Sequence, residues 1–152
     1  MDSDWIVMSD LKIIRNKSEL DGTHFVELQP GHFNGKHWSD NSIFIMDDHF
    51  SYFDRVIKSA VSRYDFYGYT VIKKSEWLEI LELYKKLLVE LETAKHLSDL
   101  KPYVSIYGDG INRLIQQRFD DNMGIFKKTV QELVDWIEEQ LKNKKCITII
   151  GL

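Results

Sequence analysis

Residues 63–77 read RYDFYGYTVIKKSEW, and how this stretch is assigned decides the fold. As far as Ile72 it has strand chemistry, rich in aromatic and β-branched residues. Beyond Lys74 it opens an amphipathic helix. A half-buried strand alternates apolar with polar positions, yet Tyr64, Phe66, Tyr67 and Tyr69 place rings on both faces. In an extended chain Tyr64, Phe66, Gly68, Thr70 and Ile72 share one face, while Asp65, Tyr67, Tyr69 and Val71 share the other. The first is the natural core face. The second leaves three readings open. A helix of the same chain covers it, with 122–142 long enough to do so; it stays open and docks a partner protein; or a bulge breaks the alternation. Two phenol rings amount to roughly 300–500 Å², and covering most of that is worth on the order of several kcal/mol.

Downstream, SEWLEILELYKKLLVELETAKHL (75–97) is predicted to be helical, with Ser75 as its N-cap. Trp77, Leu81, Tyr84, Leu88 and Leu91 form its apolar stripe, which Ile80, Leu87 and Ala94 widen. Glu82 stands four residues before Lys86, a favourable pairing on the exposed side. The Gly108-Asp109-Gly110 break precedes a short helix in INRLIQQRF. A long helix over 122–142 then buries Ile125, Phe126, Val130, Leu133, Val134, Ile137 and Leu141. The closing CITIIGL carries no charge from Cys146 to Leu152, which suits an interior strand.

Upstream, LKIIRN (11–16), THFVEL (23–28) and SIFIM (42–46) read as strands, with loop chemistry over 29–42. Residues 49–61 read as a helix, with Phe50, Phe53, Ile57 and Ala60 at helical spacing and Asp47 or Asp48 capping its start. The order β-β-β-α-β-α-α-α-β lacks the regular alternation of a doubly wound parallel fold. It predicts an α+β single domain over 1–152: a mostly antiparallel sheet of four to five strands, with helices packed mainly on one face.

The chain has 152 residues, 43% of them hydrophobic, enough for one ordinary core without staples. The single cysteine, Cys146, forms no internal disulfide and favours a reducing compartment. The opening MDSDWIVM lacks the basic and apolar regions of a secretory signal, and no segment reaches the length of a membrane helix. A cytoplasmic protein with no membrane span is expected. The net charge of −4 lies wholly in residues 1–62, where ten acids face six bases. That argues against a nucleic-acid partner and permits a basic protein partner, though it also serves plain solubility.

Catalytic and metal patterns are weak. His24, His32, His37 and His49 lie close in sequence to Asp47 and Asp48, but their spacing fits no zinc motif. A metal-dependent enzyme using residues 24–49 is therefore the alternative reading, alongside a regulatory or scaffold subunit. Cys146 reads as a buried structural thiol. There is no nucleophile elbow, P-loop or dinucleotide fingerprint. Tyr107-Gly108-Asp109-Gly110-Ile111 reads as turn chemistry. Glu76, Glu79 and Glu82, like Asp135, Glu138 and Glu139, read as solvated helix faces. No catalytic residue, cofactor or resident metal is assigned.

This small, acidic, aromatic-rich α+β chain, with YDFYGYTVIKKSEW (64–77) as its nearest approach to a motif, resembles bacterial immunity proteins that accompany polymorphic toxins, including those of contact-dependent growth inhibition. The resemblance implies a cytoplasmic binder that neutralises a cognate toxin domain, often a basic nuclease, by occluding its active site or substrate groove. It implies carboxylates that mimic phosphates and a few desolvated aromatics as anchors. On that reading the candidate partner-binding residues are Trp38, Asp40, Asp47, Asp48, Asp54, Asp65, Tyr67 and Tyr69. For Trp38, folding back onto the core is the competing role. The chain itself would be a monomer or a homodimer.

Overall fold

The computed structural model describes residues 6–106 and 108–152. Residues 1–5, the first five of the MDSDWIVM opening, and Tyr107 of the 107–111 turn lie outside the described residues. The fold is α+β. Strands β1 (Phe25–Pro30), β2 (Ile43–Met46), β3 (Tyr69–Lys73) and β4 (Cys146–Ile150) form one antiparallel sheet in the order β2-β1-β4-β3. The helices are α1 (Asp47–Phe50), α2 (Asp54–Ala60), α3 (Lys74–Thr93), α4 (Asp109–Gln117) and α5 (Phe119–Leu141). Short 3-10 turns lie at Lys17–Glu19 and Leu97–Leu100.

β4 is a central strand and every one of its residues is buried, as its uncharged sequence requires. Ile147 and Ile149, paired with Ile72 and Thr70 of β3 and flanked by Leu28 of β1, face the helical layer. α3 and α5 pack on each other and on β4. Trp77, Ile80, Tyr84 and Leu87 from α3 meet Phe126, Val130, Leu133 and Ile137 from α5 in the main core. Two buried polar tips find carbonyls there: Trp77 Nε1 donates to Ile147 O at 3.1 Å, and the Tyr84 hydroxyl donates to Phe53 O at 2.9 Å. Burying a ring whose polar end is bonded keeps the apolar gain without the desolvation loss.

Several local expectations change. LKIIRN is not a strand; only Ile14 pairs with Phe44, through reciprocal backbone bonds of 2.8 Å at the outer edge of β2. The sheet therefore has four strands. The 49–61 helix is two pieces, because Ser51–Phe53 form a turn between α1 and α2. No side chain caps α1; Asp47 accepts from the adjacent Asp48 N–H at 2.8 Å and lies in the first turn, where its charge still complements the dipole. α3 starts at Lys74 rather than after Ser75. Glu76 reaches back to accept the Lys73 N–H at 3.1 Å, so the third residue of the helix does the capping expected of Ser75. Glu82 and Lys86 make no ion pair among the described residues; Lys85 instead bridges α3 to Glu138 of α5 at 3.0 Å.

The largest change concerns the stretch 63–72. Regular pairing begins only at Tyr69, and residues 65–68 form a turn whose backbone meets residues 151 and 152. Gly151 N donates to Gly68 O at 2.8 Å and Leu152 N to Phe66 O at 2.9 Å. The approach is so close that a Cβ on Gly151 would stand 1.8 Å from Phe66 O. Arg63 guards the free edge of β3: it donates to Val71 O at 2.6 Å while gripping Glu76 at 2.6 and 2.9 Å. That grip holds the Glu76 carboxyl at about 2. An edge carbonyl thus occupied is unavailable for pairing with another strand.

Candidate functional site

The second face of the sheet carries Phe25, Glu27 and Gln29 from β1, Phe44 and Met46 from β2, Cys146, Thr148 and Ile150 from β4, and Tyr69 and Val71 from β3. No helix among the described residues covers it, because α5 lies on the opposite face. The chain's own loops cover most of it. At the β2 side Ile14, Phe25 and Phe44 form a small second core against Leu20 and Trp38. In the middle the loop 31–42 folds back over Glu27, Gln29 and Thr148.

That loop is organised by a buried carboxylate. Glu27 is 1% exposed. Its Oε1 accepts the Trp38 N–H at 2.6 Å; its Oε2 accepts the Ser42 hydroxyl at 2.6 Å, the Ser39 N–H at 2.9 Å and Gln29 Nε2 at 3.3 Å. Gln29 extends the network by accepting the Asn34 N–H at 3.0 Å and donating to Ser39 Oγ at 2.8 Å. Thr148 Oγ1 donates to Gly31 O at 2.7 Å. A buried charge needs this many donors to offset its desolvation. The network also holds Trp38 at φ 62°, the one non-glycine residue with positive φ among the described residues. Strain of that kind persists only where surrounding bonds over-determine it.

At the β3 side the face stays open. Tyr67 is 78% and Tyr69 58% exposed. Phe33, from the anchored loop, leans on Tyr69 with ring centroids 4.7 Å apart and meets His37 at 5.9 Å. Tyr67 packs edge-on to Phe66 at 5.2 Å, and its N–H bonds Asp65 Oδ1 at 2.9 Å. Of the three readings of residues 63–72, no described helix covers the phenols, and the alternation is broken, by the turn at 65–68 rather than by a bulge, with Tyr67 and Tyr69 exposed.

The register places several candidate residues at one end of the sheet. Phe44, Glu27, Ile150 and Tyr69 form a row across all four strands, and Phe25 with Met46 lies just beyond it. Asp47 and Asp48 follow Met46 directly. They stand at the β2 edge of the end whose β3 edge carries Tyr69, Tyr67 and Asp65, about 15 Å away across three strand spacings. Asp10 joins Asp47 and Asp48 around His49, yet burial pushes that imidazole below its ordinary value against the pull of all three acids. His49 stacks on Tyr52, and His24 Nδ1 lies 3.7 Å from Asp47 Oδ2.

The other candidates fall elsewhere. Trp38 is half-buried against the second core, and Asp40 pairs with Lys17 at 2.9 Å on the exposed surface. Asp54 lies on the helical side, half-buried at the start of α2, where desolvation lifts its carboxyl to about 6. Among the described residues no group of three or more His, Cys, Asp or Glu side chains is placed to hold a metal ion. Burial raises the Cys146 thiol, which suits an unreactive core residue.

Glu27 and Gln29 were not legible as organising residues, because polar positions alternating with Val26 and Leu28 read as a solvent face. Phe33 gave no signal in a loop of turn residues. Comparison with known protein families, characterised proteins and solved structures yields no match. No helix among the described residues is long and apolar enough to cross a membrane.

Proposed function

We propose that this chain is a cytoplasmic protein-docking module of the toxin-neutralising type, with the open end of the sheet as its contact surface. The observation that carries the reading is the exposure of Tyr67 and Tyr69 beside a loop held rigid from beneath by Glu27. Large, pre-ordered rings supply contact area at low entropic cost, and Tyr is enriched among residues that dominate interface energies. Asp47, Asp48 and Asp65 add negative charge to the same end. A footprint of about 800 Å² per partner spans the roughly 15 Å between the two edges. The partner that fits is a basic protein domain. Its cationic groove would meet the carboxylates first, at a rate raised by opposite charge, and the rings would then exclude water from the contact. Occlusion of such a groove is how a bound copy would neutralise a nuclease-like toxin.

The test is calorimetric titration with the product of the neighbouring gene, together with growth protection in cells in which that product is toxic. Nanomolar binding is expected. Tyr67→Ala with Tyr69→Ala weakens it by about 100-fold, and Asp47→Asn with Asp48→Asn slows association most at low salt. Absence of both binding and protection overturns the proposal. So does a self-associated dimer that the tyrosine variants dissolve while no toxin binds.

A further inference from the structure

A separate feature lies on the helical side, between α2, α4 and the segment 96–106. A cleft of about 600 Å³ there is lined by Arg55, Lys101, Arg113 and His96, with Ser105 and Asn112. No carboxylate among the described residues lines it. Neither Lys101 nor Arg113 forms an ion pair among the described residues, and Arg55 spends one donor on Ser105 Oγ at 2.8 Å. Arg55 and Ser105, bonded to each other, also line a neighbouring cleft of about 490 Å³, whose lining includes Asp54, Tyr64 and Phe66.

Two buried side-chain polar atoms lack a hydrogen-bond partner among the described residues: the Tyr64 hydroxyl and Asn112 Oδ1. Asn112 is among the residues lining the first cleft and Tyr64 among those lining the second. Tyr64 is only 5% exposed. Buried polar groups are almost always satisfied, so an orphan beside each of two adjoining clefts marks a place where outside polar atoms are expected.

We propose that this cleft binds a small organic phosphate. Arg55, Lys101 and Arg113 hold the phosphoryl group, and the organic portion reaches over the Arg55–Ser105 contact that the two clefts share, toward Phe66, Tyr64 and Asp54. Three unneutralised cations match a dianionic phosphate better than a single carboxylate, and the arginine fork fits phosphate oxygens in pairs. The orphaned Asn112 Oδ1 calls for a donor, and a turn of the Asn112 side chain presents it to a hydroxyl on the organic portion. The Tyr64 hydroxyl and the Asp54 carboxyl would bond polar atoms further along it, while Phe66 offers a ring face to a planar group. The site lies on the helical side and meets the aromatic end of the sheet only at Phe66, whose ring packs on Tyr67.

Thermal unfolding of the full chain is followed with millimolar adenosine monophosphate, a sugar phosphate, inorganic phosphate and succinate as probes. At least one of the two organic phosphates is expected to raise the midpoint saturably, more than inorganic phosphate does, while succinate has no effect. Arg55→Gln and Arg113→Gln each weaken binding of that phosphate by about tenfold. Lys85→Gln, on a distant exposed helix face, leaves binding unchanged. Tyr64→Phe, which deletes only the orphan hydroxyl and so threatens the fold least, weakens the organic phosphate and not inorganic phosphate. No shift with either organic phosphate overturns the proposal. So does equal binding of succinate, or a shift that survives both arginine substitutions.

Discussion

The most informative perturbation is Glu27→Ala. The carboxylate is buried and accepts four hydrogen bonds, two of them from the Trp38 and Ser39 backbone and one from Ser42 Oγ. Deleting it leaves three strong donors without their acceptor, at a cost of roughly 1–3 kcal/mol for each donor that water fails to reach. Two terms work in the other direction. The desolvation of the carboxylate disappears, and Trp38 is released from its positive φ, which returns about 1–2 kcal/mol. The net expectation is a loss of about 2–4 kcal/mol. For a domain of this size that lowers the thermal midpoint by roughly 4–16 °C. Glu27→Gln keeps one acceptor oxygen but turns an amide against backbone N–H groups, so it falls between the two. Hydrogen exchange at Trp38 and Ser39 should accelerate more than at the β4 amides, because the loop opens before the sheet does. A midpoint within about 2 °C of the parent, with those two amides no less protected, would refute the idea that this carboxylate holds the loop.

Two glycines of opposite character make a paired prediction. Gly151→Ala drives a methyl into the Phe66 carbonyl, with backbone on both sides, and should cost about 1–3 kcal/mol by chemical denaturation. Gly124→Ala, within α5 and with nothing within 4 Å of the new methyl, should gain about 0.5–1 kcal/mol from helix propensity. Asp54 supplies a pH signature. Its folded carboxyl sits at about 6, above its value in the unfolded chain, so the folded state binds the extra proton and stability declines as pH rises through 6. Asp54→Asn should therefore stabilise the protein at pH 7.5 by about 1 kcal/mol, allowing for the solvent contact of a half-buried group, and make no difference below about pH 4.

What was legible in the sequence followed from periodicity and composition. The stripe of α3, the core positions of α5 and the uncharged β4 all appear where the pattern puts them, because burial of a continuous apolar surface dictates all three. Segment ends were less legible. LKIIRN has strand composition but finds a single pairing position at Ile14, since β2 extends only four residues beside it. The turn at 65–68 depends on a close approach by Gly151, more than eighty positions away in the chain, which no local pattern encodes.

The sequence by itself determined the fold class, the main core and the surplus of tyrosine around residue 68, because these depend on side-chain polarity at regular spacing. Only the tertiary structure decided which side of the sheet the helices take, and therefore that a loop clamped by Glu27, not a helix, lies over the other. It alone brought Arg55, Lys101 and Arg113 to one cleft and Asp47 to the same sheet end as Tyr69. The physical reason is that strand register and loop return are set by contacts between residues distant in the chain, and a polar residue reads the same in sequence whether it faces water or a buried set of donors.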